Sequence, residues 1–356
     1  VPAMAELTGL SPFTTYYYRI VAQNSNATQK GAILSFTTSP AVVAESFWQQ
    51  QSNGPYGGGD VTSLCINSSG TIFASTFGAG VFRSTDNGDS WTVSNVGRTN
   101  LSTFSVVFHP NGSLFAGGWE GVYRSRDNGT SWTAVNSGLP TINVLCLAVS
   151  DSGSVFAGTN GEGIYRSTDN GGSWSKVSTG FAKSIVKCLT VAPGGNIFAG
   201  TDGGGVYRSS DNGGSWTQIN TGLAQMSVLS FIVNAGGHLF AGTNGGGIFR
   251  STDNGGNWIA VNGGLTDNTV RSLAVNPTGY LFAGTNAAVF RSTDNGGTWT
   301  QVNFGYAYLT LAVAINPAGH VFAGIAHIGI FRSTDNGGTW SATNKGLTCA
   351  AVRAVM

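Results

Sequence analysis

The stretch that decides the fold of this chain is RSTDNGGTW, residues 291–299. Its pattern is a basic residue, Ser, any residue, Asp, Asn, Gly, two further residues and Trp, and we call each copy a box. The seven copies are RSTDNGDSW (83–91), RSRDNGTSW (124–132), RSTDNGGSW (166–174), RSSDNGGSW (208–216), RSTDNGGNW (250–258), RSTDNGGTW (291–299) and RSTDNGGTW (332–340). Successive box aspartates are 41, 42, 42, 42, 41 and 41 residues apart. A period this constant predicts one supersecondary unit repeated along the chain.

Each period contains four short apolar runs and no helical periodicity. In the unit that starts at residue 270 these runs are VRSLAVN (270–276), YLFAGT (280–285), AVFRS (288–292) and TWTQVN (298–303). Runs of this kind, bounded by Gly, Asn, Asp and Pro, are typical of strands joined by tight turns. The sequence therefore predicts an all-β propeller of seven four-stranded antiparallel blades. The fillers between blades are expected to be the box Trp and the Phe of each second run: Phe73, Phe115, Phe156, Phe198, Phe240, Phe282 and Phe322.

The box itself has a mechanical interpretation. A short carboxylate can accept hydrogen bonds from backbone N–H groups two or three residues on, Gly two positions after it permits positive φ, and Ser two positions before it offers a hydroxyl. A calcium loop would need several oxygen ligands, whereas each box offers one carboxylate. We therefore expect a structural role, with no metal and no catalysis, for Asp86, Asp127, Asp169, Asp211, Asp253, Asp294 and Asp335.

The pattern S-x-D-x-G-x-[ST]-W resembles the Asp-box, or BNR repeat, of sialidases, xyloglucan-cleaving glycoside hydrolases, sortilin-type receptors and a photosystem II assembly factor. Six copies match it fully, and the fifth has Asn257 where Ser or Thr is usual. The resemblance covers residues 61–344 and implies a propeller of the sialidase-like or sortilin-like superfamily. It implies little about function, because in those families the box lies away from the active site.

The two ends of the chain suggest a longer parent protein. Residues 7–24 and 31–38 resemble the last two strands of a fibronectin type III domain, so we expect residues 1–40 to be the C-terminal half of one. Residues 41–60 are interpreted as a linker with one blade-like strand around Trp48, and residues 345–356 as the first strand of a further repeat. These two strands suggest an eighth blade in a longer multidomain chain.

Composition narrows the class of protein. Only 9% of residues are charged and the net charge is +1, which implies no nucleic-acid partner, and no apolar run is long enough for membrane insertion. No CxxC spacing is present, and Cys146 and Cys188 occupy one repeat position, so they are interpreted as small buried residues. We expect a monomeric module without a cofactor in a secreted or cell-surface bacterial protein.

The sequence supports an enzymatic role less well than a binding role. A glycosidase needs two carboxyl groups facing one bond, and enzymes on repetitive scaffolds build their sites from inserted loops, for which this repeat spacing leaves no room. The candidate carboxylates Glu120, Glu162 and Asp202 fall at the tips of different hairpins. A carbohydrate-active hydrolase, sialidase-like or xyloglucanase-like, therefore stays as the alternative hypothesis.

The binding hypothesis rests on what varies among the repeats. Second-to-third-strand hairpins and the connections between blades share one face of an up-and-down propeller, and the boxes lie on the other. Exposed aromatic side chains beside a carboxylate suit sugar rings and protein partners alike. The residues that depart from the repeat on the first face, and are the candidate ligand-binding residues, are Trp119, Glu120, Phe181, Tyr306, Tyr308 and His327. The favoured function is a non-catalytic binding, adhesion or scaffolding propeller that recognises a glycan or an extracellular protein.

Overall fold

The structure is a computed structural model that describes residues 60–181, 185–302 and 308–347, with four short strands nearer the N-terminus. The chain divides into two compact units, Val1–Asn53 and Gly54–Met356. In the first unit, β1 (Thr15–Tyr18) pairs antiparallel with β4 (Leu34–Thr37), and β2 (Val21–Gln23) with β3 (Thr28–Lys30). The fibronectin type III assignment and the Trp48 strand concern residues that lie mostly or wholly outside the described ones, so both stay predictions.

The second unit confirms the predicted propeller. Its described strands form seven antiparallel sheets, each made of four consecutive strands in sequence order. In chain order, with β5 to β8 forming blade 1, the strands are β5 Val61–Ile66, β6 Ile72–Thr76, β7 Gly80–Ser84, β8 Thr92–Val93; β9 Thr103–Phe108, β10 Leu114–Gly118, β11 Gly121–Ser125, β12 Thr133–Ala134; β13 Val144–Val149, β14 Val155–Thr159, β15 Ile164–Ser167, β16 Ser175–Lys176; β17 Val186–Val191, β18 Ile197–Thr201, β19 Gly205–Ser209, β20 Thr217–Gln218; β21 Val228–Val233, β22 Leu239–Thr243, β23 Ile248–Ser251, β24 Ile259–Ala260; β25 Val270–Val275, β26 Leu281–Thr285, β27 Val289–Ser292, β28 Thr300–Gln301; β29 Thr310–Ile315, β30 Val321–Ile325, β31 Gly329–Ser333 and β32 Ser341–Ala342.

Burial follows the position of a strand within its blade. Second strands such as β22 are buried along their whole length, whereas fourth strands such as β24 are exposed. The second-strand Phe side chains, Phe240 among them, have no exposed surface at all. Because one blade cannot cover its own faces, this core lies between neighbouring blades, as the sequence predicts.

Each seam between blades uses the same side chains. The box Trp inserts towards the preceding blade, and in blade 3 the Trp174 backbone N–H donates to the Ser137 carbonyl at 2.8 Å while its Nε1 donates to the Val135 carbonyl at 2.7 Å. The box Arg reaches the other way, as Arg166 Nη1 does when it donates to the Asn212 carbonyl of blade 4 at 2.6 Å. The same Arg contact to the next box is made by Arg124, Arg208, Arg250, Arg291 and Arg332.

The seven described blades close into a ring, and an eighth blade in a longer parent protein stays a prediction. Trp91 of blade 1 donates its backbone N–H to Lys345 and its Nε1 to the Thr343 carbonyl, just after the last strand of blade 7. Arg332 of blade 7 donates to the Asn87 carbonyl of blade 1 at 2.7 Å. Contacts of the same kind join consecutive blades elsewhere in the ring, so blades 7 and 1 are neighbours with no gap between them. The further repeat predicted at 345–356 lies mostly outside the described residues.

The described cysteines are free thiols in the inner strands. Cys146 is buried, its Sγ donates to the Val186 carbonyl of the next blade at 3.6 Å, and burial raises its pKa. Burial also raises the pKa of Cys188 to about 12. Both therefore stay protonated and act as small packing residues, as predicted.

Candidate functional site

The box aspartates hold turns together. In blade 3, Asp169 Oδ1 accepts the Ser173 backbone N–H at 2.9 Å and the Ser167 hydroxyl at 2.7 Å, while Oδ2 accepts the Ser173 hydroxyl at 2.7 Å. The bonded backbone N–H is four residues on, and not two or three residues on as the sequence suggested. Every oxygen of this carboxylate is engaged within its own box, which fits a structural role.

These bonds have an electrostatic consequence. The Ser173 N–H and hydroxyl, followed by the Ser167 hydroxyl, lower the pKa of Asp169 to about 2 because they stabilise the charged carboxylate. In the fifth box the pKa of Asp253 is lowered by the Asn257 N–H and the Ser251 hydroxyl. Asn257 has no hydroxyl, so Asp253 lacks the hydrogen bond that the Ser173 hydroxyl donates to Asp169. This lost bond is the effect of having Asn where the other boxes have Ser or Thr.

The box Asn has a role that sequence reasoning missed. All seven adopt positive φ, for example 58° at Asn170, and the following Gly does so too. A Cβ at Gly129 would lie 2.5 Å from Cε1 of Phe73, so this Gly also allows the turn to pack on the preceding blade. The boxes thus build the ring, and a ligand site must be sought elsewhere.

The structure scatters the predicted ligand-binding residues over the loop face, the face that carries the second-to-third-strand hairpins and the connections between blades. Phe181 is half-buried and stacked on Tyr207, with ring centroids 4.3 Å apart. Tyr308 packs against the core between blades 6 and 7. His327 accompanies Asp60 at the seam of blades 7 and 1, with Nδ1 and Oδ1 3.0 Å apart. Tyr306 lies outside the described residues.

Trp119 and Glu120 form the tip of the β10–β11 hairpin and have the most open surroundings. Trp119 is 41% exposed and meets Phe77 edge to face, with centroids 5.3 Å apart and planes at 90°. Phe77 is 43% exposed and lies 6.0 Å from Phe104. We call Phe77, Phe104 and Trp119 the aromatic patch. Glu120 stands at its edge, exposed, with φ of 67°.

Two features of the fold bring the aromatic patch together. Phe77 and Trp119 are the same repeat position in blades 1 and 2, directly after the second strand, where the next four blades carry Asn or Asp. Phe104 is the unpaired residue of a β-bulge in β9, because Gly118 pairs with Thr103 and Gly117 with Ser105. A bulge re-aims a side chain out of the regular pleat. Repeat alignment could have found both Phe77 and Phe104, because every blade has a bulge at the repeat position of Phe104.

The connection between blades 1 and 2 contains a buried cation, Arg98. Arg98 stands where Leu139, Leu223 and Leu347 stand in other blades. Its guanidinium lies 5.0 Å from the ring centroid of Tyr123 and donates to Thr103 Oγ1 at 2.6 Å. Burial lowers the pKa of Arg98 to about 10, so it remains charged at neutral pH. No carboxylate pairs with it among the described residues.

The opposite face, which we call the box face, carries two clefts at the mouth of the central channel. A cleft of about 440 Å³ includes Ile66, Val275 and Ile315 in its lining, and one of about 660 Å³ includes Arg126 and Asp151. No cluster of metal-ligating side chains occurs within the described residues, and none of their helices could span a membrane.

Comparison with protein families supports the repeat assignment. A family profile described as DUF6242 beta propeller domain matches residues 151–268. A BNR/Asp-box repeat profile matches residues 331–342. No curated protein matches the chain by sequence.

Solved structures of similar fold differ widely in what they are. The extracellular domain of a putative one-component system from B. thetaiotaomicron is 18% identical with a TM-score of 0.65, and the match covers 78% of this chain and 38% of that one. The GH74 xyloglucanase from Xanthomonas campestris is 19% identical with a TM-score of 0.65, over 82% of this chain and 55% of the enzyme. YCF48 bound to D1 peptide is 20% identical with a TM-score of 0.63, over 77% and 92%. At such identities the likeness shows the fold alone.

Proposed function

We propose that this propeller is a non-catalytic binding module of an extracellular bacterial protein and that it takes its ligand on the loop face. The observation that carries the proposal is the aromatic patch: Phe77 and Trp119 are each about two fifths exposed and meet at a right angle. Contiguous exposed apolar surface often marks the site where a ligand or a partner binds. The extracellular assignment is supported by the similar B. thetaiotaomicron structure, which is the extracellular domain of a putative one-component system.

The chemistry of the aromatic patch suits two ligand classes. A ring face stacks on the apolar face of a sugar, with the Glu120 carboxylate placed to accept hydroxyl hydrogen bonds, and the same rings can anchor an apolar side chain of a protein. The fold is compatible with peptide binding, since YCF48 is described as bound to a peptide. A glycan or an extracellular protein segment is therefore the proposed ligand.

Hydrolysis is less well supported by the same face. The carboxylates Asp60, Glu162 and Asp202 belong to different blades, and each has a basic partner: His327 at 3.0 Å, Lys176 at 2.8 Å and Lys187 at 3.6 Å. A glycosidase instead needs two carboxyl groups about 5 to 10 Å apart across one cleft. Nothing in this arrangement favours the hydrolase over the binding module.

The test uses arrays of neutral and acidic oligosaccharides and of extracellular protein fragments, probed with the whole chain. Trp119→Ala and Phe77→Ala should each weaken binding about tenfold or more, the loss expected of a hot-spot aromatic residue. Ile259→Ala is the matched control, because Ile259 is also exposed but lies on β24, an outer strand. Equal binding by all three variants, or turnover of a bound glycan that Glu120→Gln abolishes, would contradict the proposal.

A further inference from the structure

Each box contains an Asn–Gly pair, and this dipeptide carries a chemistry of its own. The Gly backbone nitrogen can attack the Asn side-chain carbonyl carbon, which releases ammonia and forms a five-membered succinimide. Water then opens the ring to leave Asp or isoaspartate, so the net change is addition of water and loss of ammonia. Gly favours the attack because it has no Cβ in the way. The ring contains seven such pairs, and the fold protects them from this reaction to different extents.

The box serine protects the attacking nitrogen. In every box the Gly N–H donates to the Oγ of the Ser four residues earlier, as Gly255 does to Ser251 at 2.9 Å. A nitrogen held in this bond cannot easily lose its proton and turn towards the side chain of the preceding Asn. The other six bonds are 2.7 to 2.9 Å long and are made by Gly88, Gly129, Gly171, Gly213, Gly296 and Gly337.

A second protection holds the Asn side chain itself, and it is unevenly distributed. Five box Asn amides are tied by hydrogen bonds to the first-to-second-strand hairpin of the preceding blade, as Asn212 Nδ2 is to Ser154 Oγ at 3.1 Å. The other four tied side chains are Asn87, Asn170, Asn295 and Asn336. The side chains of Asn128 and Asn254 make no hydrogen bond within the described residues. Asn128 is half-buried, whereas Asn254 is exposed.

The hairpin next to Asn254 lacks the side chain that ties three of the other box Asn. The hairpins that tie Asn295, Asn336 and Asn87 use Asn234, Asn276 and Asn316 at one repeat position. The hairpin that faces Asn254 has Ala192 at that position, and its methyl group can neither donate nor accept. We propose that Asn254–Gly255 is the site at which this folded propeller deamidates first, ahead of the other six boxes.

The experiment is incubation of the whole folded chain at mildly alkaline pH, followed by trypsin digestion and tandem mass spectrometry. Asn254 should deamidate about fivefold or more faster than Asn87, Asn170, Asn212, Asn295 and Asn336, the factor that one neutral hydrogen bond is worth. Asn262–Gly263 is a control within the same tryptic peptide, since its amide accepts from Ile248 and donates to Gly246. It should stay intact while Asn254 is converted.

Deamidation rates in urea and in a Ser251→Ala variant test whether the fold provides the protection. In urea all seven box Asn should react at similar rates, because the protection comes from the fold and the local sequences are nearly identical. In the folded Ser251→Ala variant, which frees the Gly255 N–H, the rate at Asn254 should rise further while that at Asn262 does not. Equal folded-state rates at the seven boxes, or faster reaction at any other box Asn, tied like Asn87 or untied like Asn128, would overturn the proposal.

Discussion

At the scale of single residues, the molecule separates building side chains from recognition side chains by repetition. The Asp, Ser and Trp of each box recur because every blade needs the same turn and the same seam. Side chains that differ from the repeat, such as Phe104 and Trp119, do not form these turns and contacts between blades. Arg98 is a third kind, a repeat-breaking residue that replaces an apolar side chain inside a seam.

The box aspartates should give the ring a defined acid limit. Hydrogen bonds lower the folded-state pKa of Asp169 to about 2 from an ordinary value of 3.8. A depressed carboxyl pKa contributes stability that is complete above the unfolded value and is lost as pH falls through the folded value. We expect the urea midpoint to be flat from neutral pH down to about 5 and to fall between about 4 and 2. A decline that begins near pH 6 would contradict this, because it would assign the acid sensitivity to histidine.

Arg98→Leu should stabilise the protein. The Arg98 Nε and Nη1 atoms are buried without a hydrogen-bond partner among the described residues, and the contact with Tyr123 returns only about 0.5 to 2 kcal/mol. The expected gain is about 1 kcal/mol, or a rise in Tm of about 1 to 3 °C. The reciprocal change, Leu139→Arg in blade 2, should lower Tm. A lower Tm for Arg98→Leu in thermal unfolding would show that the cation is a net contributor to this seam.

At the scale of elements, each blade is a four-stranded meander whose hairpins are pinned by polar side chains. In blade 4, Asn220 Oδ1 accepts the Val206 N–H at 2.8 Å and Nδ2 donates to the Gly204 carbonyl at 3.0 Å, so one side chain fixes the β18–β19 hairpin. The equivalent residue in blade 3 is Ser178. The loop-face hairpins are therefore preorganised, which a binding surface requires.

Asn220→Ala should destabilise the fold by about 1 to 3 kcal/mol, because it leaves a backbone donor and a backbone acceptor without their partner. Ser178→Ala is the matched control at the same repeat position, and it should be nearly neutral because no hydrogen bond of its hydroxyl occurs within the described residues. Urea unfolding of the two variants measures the difference. Equal midpoints would mean that water replaces Asn220 at little cost.

The limits of sequence reasoning also lie at this scale. The strands, the box turn and the burial of residues such as Phe240 and Trp174 followed from a strict period and from turn chemistry. Of the three residues of the aromatic patch, only Trp119 was predicted from the sequence. Phe77, at the same repeat position in blade 1, was missed, and the orientation of Phe104 depends on a bulge. Phe181 also differs from the repeat, where other blades have Leu. It nevertheless stacks on Tyr207, so this change affects packing between blades and does not create an exposed binding residue.

At the scale of the whole molecule, one seam differs from the other six. Blades 7 and 1 are not consecutive in the chain, so side-chain and backbone contacts alone hold them together. This seam has two contacts that repeat-breaking residues provide: Arg332 Nη1 lies 2.7 Å from Asp89 Oδ1, and His327 Nδ1 lies 3.0 Å from Asp60. Asp89 stands where the other boxes have Gly or Thr.

Asp89→Thr, which copies Thr130 of the second box, should lower Tm at low ionic strength by about 1 °C or less, since an ion pair with one exposed partner contributes little. The difference should vanish at high ionic strength, where screening removes the attraction. Thermal unfolding at the two salt concentrations measures it. A deficit that persists in high salt would show that packing at this seam, and not the ion pair, is what the substitution disturbs.

The central claim is that the boxes build the ring while the loop face binds. The most direct test measures Tm and affinity for one array-identified ligand on the same two variants, Trp119→Ala and Asp169→Asn, at a temperature where both are folded. We predict that Trp119→Ala loses affinity about tenfold or more with an unchanged Tm, and that Asp169→Asn lowers Tm with unchanged affinity. The reverse pattern, with affinity lost in Asp169→Asn and retained in Trp119→Ala, would contradict the account.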